Sequence, residues 1–408
     1  MANALTSGEP IGRSTYLRLV VVLGLLAAIG PLSTDVYLPA FPDMARELGA
    51  THSQIQATLA GSLIGLGLGQ LITGPLSDAL GRRLPVITGM AAHVVLSIGC
   101  ALTGDVRILI ALRVLQGLAG TASAITAMAV VRDLFTGERA ATLMSRLMLV
   151  MGLAPVLAPS IGGAMLRIMS WQGTFVFLAG AGLVLLVAAV FFLPETLPAE
   201  RRMELHVGAT LGAYLRLFRD PVVIAMVVGS AAAAGTLFSY ISGSSFILQV
   251  QYGLTPTVYA VVFGGIGLSM VVGGQLNPLL LRRFGLARTE LAATLGSVVV
   301  AAVMVLVVAT GVGGVVGFVA PLPFAMALVA MHNANLTVIA LHRQGRSAGT
   351  AAALLGAVRF GVGGALAPVV GLVTRDSPTP LAVILLITSL VGMAAFLVVR
   401  PRLSAYLG

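Results

Sequence analysis

The sequence predicts an all-α integral membrane protein with 12 transmembrane helices arranged as two pseudo-symmetric six-helix bundles. Three observations predict this fold class: charge is scarce, 12 apolar runs are long, and basic residues gather on alternate loops. Only 9% of the 408 residues are charged, 58% are hydrophobic, and the mean hydropathy is +1.03. Soluble globular proteins average about 25% charged residues. The 24 basic and 14 acidic side chains are too few to cover a soluble protein of this length, which excludes soluble enzymes and disordered proteins.

Each apolar run is long enough to cross a membrane, which takes about 20 residues of helix. The runs cover residues 16–41, 53–74, 84–104, 106–130, 142–166, 171–194, 221–247, 257–281, 289–310, 313–340, 348–374 and 379–399. Helices of this number, joined by short loops, use the whole length of the chain. The first run is not expected to be a cleaved signal, because it is too long and further runs follow it.

The positions of the basic residues predict the orientation in the membrane. All 24 basic residues are arginines. If the N-terminus lies inside, the inner loops hold 18 of them and the outer loops hold 4, and only Arg113 and Arg359 fall within spans. Because basic residues concentrate in cytoplasmic loops, we expect both termini to be cytoplasmic. The net charge of +10 is scattered between apolar runs and forms no stripe, so no nucleic-acid partner is expected.

A polar stretch divides the chain into two halves. We expect residues 1–194 to form the first bundle, 195–220 a cytoplasmic linker, and 221–408 the second bundle. Within the linker, the segment 205–218 is either a short surface helix with its apolar side toward the lipid or a plain connection. The sequence leaves both interpretations open.

A weak internal repeat supports this division. The end of the second span, residues 74–83, and the end of the eighth span, residues 277–285, both place a glycine and paired arginines in a short cytoplasmic loop. Two six-helix halves with such repeats are typical of secondary transporters, which bind their substrate between the halves near the middle of the membrane.

Few ionisable side chains fall inside the predicted spans, where a charge costs several kcal/mol unless it is paired or hydrated. Asp35 is the only acidic residue well within a span. Arg113 in span four is expected at a similar depth, about 10 Å below the outer end at 1.5 Å per residue. The pattern predicts a protonatable carboxylate with a functionally coupled arginine. The alternative is a static ion pair, which would lock the carboxylate in its charged form.

The other ionisable groups in or near the spans support weaker predictions. Glu290 is expected at the cytoplasmic edge of span nine. His93 and His332 are interpreted as hydrogen-bonded packing residues. Arg359 in span eleven either lines a cavity or reaches toward the cytoplasm.

Span five carries two prolines and three glycines on one short stretch, namely Gly152, Pro155, Pro159, Gly162 and Gly163. Proline removes a backbone donor and kinks a helix, whereas glycine lets a neighbouring helix approach closely. The pattern predicts a moving or tightly sealed helix contact, with simple kinked packing as the alternative.

These features together resemble the major facilitator superfamily, in its twelve-helix drug:proton antiporter type. Within that type the chain is similar to the bicyclomycin/chloramphenicol-resistance (Bcr/CflA) group of multidrug exporters. The resemblance covers almost the whole chain. It rests on the loop motif at 74–83, the span-four motif at 112–117, the span-five antiporter motif at 152–163, the span-one and span-seven signatures at 33–39 and 238–246, and the end of the first half at 193–196.

The resemblance implies which residues act. The antiporter motif of span five implies export rather than uptake, and Asp78 of the loop motif is expected to contact a helix N-terminus or an arginine of the other half. The loop motif, which would gate the cytoplasmic side, comprises Gly74, Asp78, Gly81, Arg82 and Arg83. The candidate substrate-binding residues beside Asp35 and Arg113 are Tyr37, Phe238, Tyr240, Asn333, Asn335 and Arg359.

The sequence departs from the family pattern at two places. Some relatives carry a second acid in span one where this chain has Leu-Ala-Ala at 26–28, and Arg359 stands where a neutral polar side chain is expected. A cavity with one acid and an extra arginine is expected to suit neutral or anionic drugs better than dications.

We therefore expect a proton-coupled antiporter that exports small amphipathic drugs across the bacterial cytoplasmic (inner) membrane by alternating access, with Asp35 carrying the proton. The alternative is a proton-coupled importer or exporter of an endogenous metabolite. A membrane enzyme is disfavoured because no metal, phosphate-loop or nucleophile motif is present, and a scaffold would not need a buried Asp. The expected partners are a small-molecule drug, protons and the lipid bilayer. A monomer without cofactor or metal is expected.

Overall fold

The computed structural model describes residues 13–202, 208, 212, 214, 217, 220–344 and 348–403. The regular structure of this part of the chain is entirely helical, and 12 of its helical spans are long and apolar enough to cross a membrane. The predicted fold class is confirmed, and the chain is a multi-pass membrane protein. The surface helix considered for 205–218 falls outside the described residues, apart from four isolated positions.

We number the membrane helices α1 to α12 in chain order. The first span consists of α1, Arg13–Asp35, followed by a helical turn at Leu38–Ala40 and an outer segment at Phe41–Glu47. A short helix, Gly314–Val319, precedes α10. The other membrane helices are α2 (His52–Leu80), α3 (Arg83–Leu102), α4 (Val106–Leu134), α5 (Gly137–Met165), α6 (Gln172–Phe192), α7 (Pro221–Phe246), α8 (Pro256–Phe284), α9 (Leu286–Thr310), α10 (Leu322–Gln344), α11 (Ala348–Val373) and α12 (Thr379–Leu403).

Helices α2 and α8 hold equivalent places in the two bundles and begin and end in the same way. Each is 29 residues long and starts after a threonine, Thr51 or Thr255, whose side chain accepts a backbone N–H of the first turn. Each ends before a glycine with positive φ, +93° at Gly81 and +76° at Gly285. Residues other than glycine rarely adopt this backbone conformation, because their Cβ causes steric clashes. The shared start, length and end agree with the internal repeat in the sequence.

Several helices extend further toward the cytoplasm than the apolar runs predict. The second run ends at 74, but α2 continues to Leu80. The fourth run ends at 130 and the fifth begins at 142, whereas α4 continues to Leu134 and α5 begins at Gly137. The apolar runs stop where charged residues begin, but the backbone hydrogen bonds of a helix continue into water. The predicted spans therefore mark the membrane segment and not the whole helix.

The helices pack within two bundles that meet along two helix pairs. In the first bundle α2 packs on α4 and α3 packs on α6, and in the second bundle α7 packs on α12 and α8 packs on α10. The pairs α2–α11 and α5–α8 join the bundles. Large apolar side chains such as Leu102 and Ile168, 80% and 81% exposed, cover the outside. Such a surface is suited to contact with lipid.

Candidate functional site

The side chain of Asp35 lies where α1 ends and the chain turns into the outer segment. Asp35 is only 3% exposed. On the preceding turn, the hydroxyl of Thr34 donates a hydrogen bond of 2.9 Å to the carbonyl oxygen of Pro31, a proline inside α1. Burial removes water from a carboxylate and so disfavours its ionised form. The ionised form is then stabilised only by nearby charges or hydrogen bonds.

Helix α4 brings the side chain of Arg113 against α1 at Ser33, which precedes Asp35 by two residues. The Arg113 side chain is fully buried, donates a hydrogen bond of 2.9 Å to the carbonyl oxygen of Ser33, and contacts the side-chain oxygen of Gln116. Its guanidinium carbon lies 4.4 Å from the centre of the Tyr37 ring, a cation–π contact. Within the described residues, no ion pair of 4 Å or less joins Asp35 and Arg113. Neutral groups therefore hold the arginine, which acts on the carboxylate through its charge.

The two candidate tyrosines are buried in the packing around this pair. Tyr37 is fully buried, and its hydroxyl lies 3.2 Å from that of Thr58. Tyr240 on α7 is 2% exposed, and its ring stacks on Phe263 with 5.3 Å between the ring centres. Leu38, three residues beyond Asp35, accepts a hydrogen bond from Ser245 on α7, so the carboxylate lies next to the junction of the two bundles.

Arg359 lies between three helices of the second bundle. It contacts the hydroxyl of Ser230 on α7, and it donates hydrogen bonds of 3.3 Å to the carbonyl oxygen of Asn333 and 3.0 Å to the hydroxyl of Thr337 on α10. Arg359 and Asn333 are both half-buried. Among the described residues, all acceptors of this arginine are neutral, so its positive charge is not cancelled by a carboxylate in contact.

Phe238 adds an apolar surface near Arg359. Its ring is tilted against that of Phe360, the residue after Arg359, with 5.8 Å between the centres. Both phenylalanines are half-buried. The structure thus joins two of the six candidate binding residues, Arg359 and Asn333, by a hydrogen bond, whereas Phe238 contacts the residue that follows Arg359.

Asn335 lies elsewhere, inside the second bundle. It is fully buried, donates a hydrogen bond of 2.8 Å to Glu290, and accepts one of 2.7 Å from Asn277. Glu290 lies near the start of span nine, as expected, and its side chain is completely buried. Glu290 lies in the first turns of α9, but its side chain points inward against α10.

The outer ends of the bundles are in direct contact. The side-chain amide of Gln56 on α2 donates a hydrogen bond of 2.9 Å to the carbonyl oxygen of Ser242 on α7. The hydroxyl of Ser245 donates one of 2.7 Å to the carbonyl oxygen of Leu38. Since Leu38 follows Asp35 by three residues, the chain just beyond the carboxylate is part of this outer seal.

The antiporter motif of α5 packs on both bundles. A Cβ on Gly162 would lie 1.7 Å from the carbonyl oxygen of Val36, and a Cβ on Gly163 would lie 2.9 Å from the Cβ of Ala260 on α8. Nearer the cytoplasmic end of α5 the contact is looser, since a Cβ on Gly152 would lie 3.9 Å from a methyl carbon of Val271 on α8. Both prolines lie inside α5 without ending it. Helix α5 therefore makes a tight contact at its outer end, where only glycine fits.

The loop motif forms a charge network at the cytoplasmic end of the first bundle. Arg82 donates hydrogen bonds of 2.9 Å to Asp133 at the end of α4 and 2.5 Å to Asp78 on α2. Glu195, at the start of the linker, accepts backbone N–H groups of Arg82 and Arg83 at 2.8 and 3.3 Å. Burial alone would lower the pKa of Arg82, but its bonds to Asp133 and Asp78 outweigh this effect and raise the pKa. Arg82 therefore stays charged at physiological pH and joins α2, α4 and the linker.

Gly81 is needed for this network. Its φ is +93°, and a Cβ there would lie 2.4 Å from a carboxylate oxygen of Glu195. Gly74, by contrast, has no described atom within 4 Å of the position of a Cβ. Within the part of the chain that the structure describes, Asp78 pairs with Arg82 of its own bundle, because the turn at Gly81 brings Arg82 back over the end of α2.

Three further residues at these sites, Asp133, Phe360 and Thr337, are not indicated by the sequence motifs. A role for Asp133 could have been predicted, because it is an acid at the cytoplasmic end of span four and the cytoplasmic loop after span two carries the paired arginines Arg82 and Arg83. Thr337 lies one helical turn from Asn333. The described residues contain no group of three or more His, Cys, Asp or Glu side chains placed to hold a metal ion.

Comparison with known proteins agrees with this architecture. The family model described as the Major Facilitator Superfamily matches residues 23–368. The chain is also similar in sequence to a transporter of Bacillus subtilis (strain 168), the uncharacterized MFS-type transporter YdgK. The two are 33% identical over 393 residues, which cover 95% of this chain and 96% of YdgK.

Two further relatives carry names that refer to antibiotics. The chain is 28% identical to the bicyclomycin resistance protein homolog of Haemophilus influenzae, over 90% of this chain and 92% of that protein. It is 29% identical to the chloramphenicol resistance protein of Pseudomonas aeruginosa, over 94% of this chain and 91% of that protein. Among solved structures, a D-xylose-proton symporter superposes with a TM-score of 0.76, over 94% of this chain and 96% of the symporter. The two sequences are only 16% identical, so this similarity concerns the fold.

Proposed function

Because this chain belongs to the Major Facilitator Superfamily, we propose that it is a proton-coupled antiporter that exports small amphipathic drugs. The observation that carries the proposal is the buried carboxylate of Asp35 next to the junction of the two bundles. An ionisable group inside a membrane protein marks an ion or substrate pathway by default. The names of the relatives from Haemophilus influenzae and Pseudomonas aeruginosa support a drug as the substrate.

We place the protein in the bacterial cytoplasmic membrane with both termini inside. The distribution of arginines supports this orientation, since 18 of the 24 lie on the same side as the N-terminus. The charge network of Arg82 then lies at the cytoplasmic surface, and the contacts of Gln56 and Ser245 close the outer side.

Asp35 would carry the proton. A fixed positive charge at Arg113 stabilises the ionised carboxylate, so Asp35 can release its proton to the cytoplasm when a drug binds. Because the guanidinium is held by Ser33 and Tyr37 and not by Asp35 itself, the carboxylate remains free to take a proton from the outside. A direct buried ion pair would oppose that step, since protonation would leave the arginine without its partner.

The same carboxylate would be coupled to alternating access. Asp35 ends α1, and Leu38 directly beyond it accepts a hydrogen bond from Ser245 of the second bundle. A change of charge at Asp35 therefore acts on the segment that closes the outer side. Opening of this seal would let protons in and drug out.

The inner face of the second bundle would bind the drug. Phe238 and Phe360 offer adaptable apolar contact, and Asn333 and Arg359 can orient a polar group. An arginine with only neutral acceptors favours neutral or anionic drugs. The same observation supports a second candidate, the transport of an endogenous metabolite that carries a carboxylate.

The direction of transport distinguishes these candidates. In inside-out membrane vesicles with an acidic lumen, an exporter should accumulate radiolabelled chloramphenicol, and a protonophore should abolish the accumulation. Vesicles without the protein are the control. Accumulation of chloramphenicol only in right-side-out vesicles would contradict export, and accumulation of small carboxylates without chloramphenicol would favour the metabolite transporter.

A further inference from the structure

The second bundle contains a buried carboxylate that the proposed transport cycle does not use. Glu290 on α9 is completely buried, and both of its oxygens have neighbours on α10. One oxygen accepts a hydrogen bond of 2.8 Å from the side-chain amide of Asn335, and the other contacts Nδ1 of His332. Asn277 on α8 donates to Asn335 at 2.7 Å, so three helices hold the carboxylate in place.

The contact between Glu290 and His332 needs a hydrogen between Nδ1 and the carboxylate oxygen, which a neutral imidazole with its proton on Nδ1 supplies. A buried carboxylate without a counter-charge is costly, and so is a buried imidazolium. A neutral imidazole beside an ionised carboxylate gives the pair a net charge of −1. One further proton gives either a neutral carboxyl beside a neutral imidazole or a carboxylate beside an imidazolium, and both have no net charge. The apolar interior of the bundle favours such a state over the pair without its proton, which has a net charge of −1.

Other titratable groups on the packed helices do not take this role. Arg359 on α11 bonds to Asn333 and Thr337, and none of its hydrogen bonds reaches Glu290. Among the side chains that the structure describes on the helices packed around α9 and α10, the other charged or titratable ones are Tyr240 on α7, Tyr259, Arg282 and Arg283 on α8, Arg288 on α9 and Arg400 on α12. The arginines of α8 and α9 are exposed at the cytoplasmic ends.

A small cavity with a mixed polar and apolar lining adjoins His332, and a Cβ on Gly392 in its wall would lie 3.8 Å from Nε2 of the imidazole. The cavity offers about 30 Å³ to the centres of water molecules, room for one or two, since one water needs about 10–15 Å³ by this measure. Nε2 of His332 is buried and has no hydrogen-bond partner among the described protein atoms. The polar side chains that line the cavity with it are Thr236, Thr294, Ser297, Thr388 and Ser389.

We propose that Glu290 and His332, together with water in this cavity, form a second proton-binding site inside the second bundle. The imidazole is the link, since Nδ1 faces the carboxylate and Nε2 faces the cavity. A proton taken up from water at Nε2 changes the net charge of the pair from −1 to zero, and the proton on Nδ1 can then pass to the carboxylate. Glu290 is two residues from the exposed Arg288, so the site is near the cytoplasmic surface.

The test is a proton-uptake titration of the purified protein in lipid nanodiscs between roughly pH 9 and pH 5, the range in which histidine sites titrate. Compared with the wild type, the variants Glu290→Gln and His332→Gln should each take up about one proton fewer per molecule. Glutamine at 290 keeps an acceptor for Asn335, so the fold is preserved. A matched control is His93→Gln, because His93 is equally buried but no described ion pair joins it to a carboxylate.

The expected result is a deficit in both site variants and none in the control. The same uptake in wild type, Glu290→Gln and His332→Gln would overturn the proposal. The variant Asp35→Asn separates this site from the transport mechanism, because the deficit caused by Glu290→Gln should persist in the Asp35→Asn background even if drug export is not proton-coupled.

Discussion

The two bundles hold their buried carboxylates in different ways. In the first bundle, Asp35 is not in an ion pair with Arg113, which is held by a carbonyl oxygen and an aromatic ring. In the second bundle, Glu290 directly contacts a histidine and an amide. Both carboxylates are buried, at 3% and 0% exposure, but only Asp35 lies where the bundles meet. Burial therefore does not distinguish the two carboxylates, whereas their position relative to the bundle junction does, and for this reason we propose that only Asp35 is coupled to movement of the bundles.

The cytoplasmic turns that follow α2 and α8 show the same contrast. At the first turn, Gly81 lets Glu195 accept two backbone N–H groups, and Arg82 joins two aspartates. At the second turn, Gly285 has no described atom within 4 Å of the position of a Cβ, and Arg282 is exposed. The repeated sequence pattern therefore builds a charge network in one bundle and a simple turn in the other.

The largest effect is expected at Arg113. The variant Arg113→Gln removes the fixed charge that stabilises the ionised carboxylate, and proton-driven efflux should fall by at least about tenfold, which corresponds to about 1.4 kcal/mol. The matched control is Arg107→Gln, an exposed arginine on the same helix. Efflux of a fluorescent drug from energised cells measures both. Equal efflux in the two variants would show that Arg113 only packs.

A smaller effect is expected when alanine replaces the two turn glycines. Both positions have positive φ, so each substitution should cost about 1–3 kcal/mol of stability. Gly81→Ala should cost more, because its Cβ would displace Glu195 from the backbone of Arg82 and Arg83. Thermal unfolding in detergent, followed by the fluorescence of Trp171, compares Gly81→Ala with Gly285→Ala. Equal midpoints would contradict the difference between the turns.

Arg82 and Arg282, the equivalent arginines of the two cytoplasmic turns, test the same difference between the bundles. Arg82→Gln loses two ion pairs to partly exposed aspartates and should lower efflux by a few fold, in line with about 1 kcal/mol for such pairs. Arg282→Gln should leave efflux unchanged, because Arg282 is exposed. Dose–response curves of drug resistance measure both. A stronger defect in Arg282→Gln would place the important cytoplasmic contact in the second bundle.

The smallest effect is expected at Arg359, as a change in selectivity rather than rate. Arg359→Gln keeps a donor for Asn333 and Thr337 but removes the charge, so export of neutral and anionic drugs should fall relative to cationic drugs. The exposed Arg375 provides the control variant Arg375→Gln. Equal changes for drugs of all charges would mean that Arg359 does not face the substrate.

The sequence predicts the global features of this fold because they depend on composition. Membrane spans need long apolar runs, so all twelve could be located. Charges are scarce inside the membrane, so Asp35 and Arg113 stand out without any structural information. The contact between Arg113 and the carbonyl oxygen of Ser33 then agrees with the similar depth expected for the two residues.

Features that depend on helix rotation and on contacts between distant residues could not be predicted. Tyr37 and Asn335 are candidate substrate-binding residues because they are polar and lie on predicted spans. Whether each side chain faces a cavity or the interior of a bundle depends on how the helices pack, and both are fully buried. Glu290 is near a helix end in the sequence, yet α10 covers it. Asp133 and Glu195 resemble ordinary loop charges until the turn at Gly81 brings Arg82 between them.

The most direct test of the central claim compares Asp35→Asn with Asp43→Asn in inside-out vesicles. Asp43 is on the outer segment of the same span, and its side chain is 39% exposed, so this variant controls for loss of a carboxylate. We expect Asp35→Asn to lose drug accumulation driven by an imposed proton gradient but to retain exchange of labelled for unlabelled drug. Asp43→Asn should behave as the wild type. Gradient-driven accumulation that is undiminished in Asp35→Asn would contradict the role of Asp35 as the proton carrier.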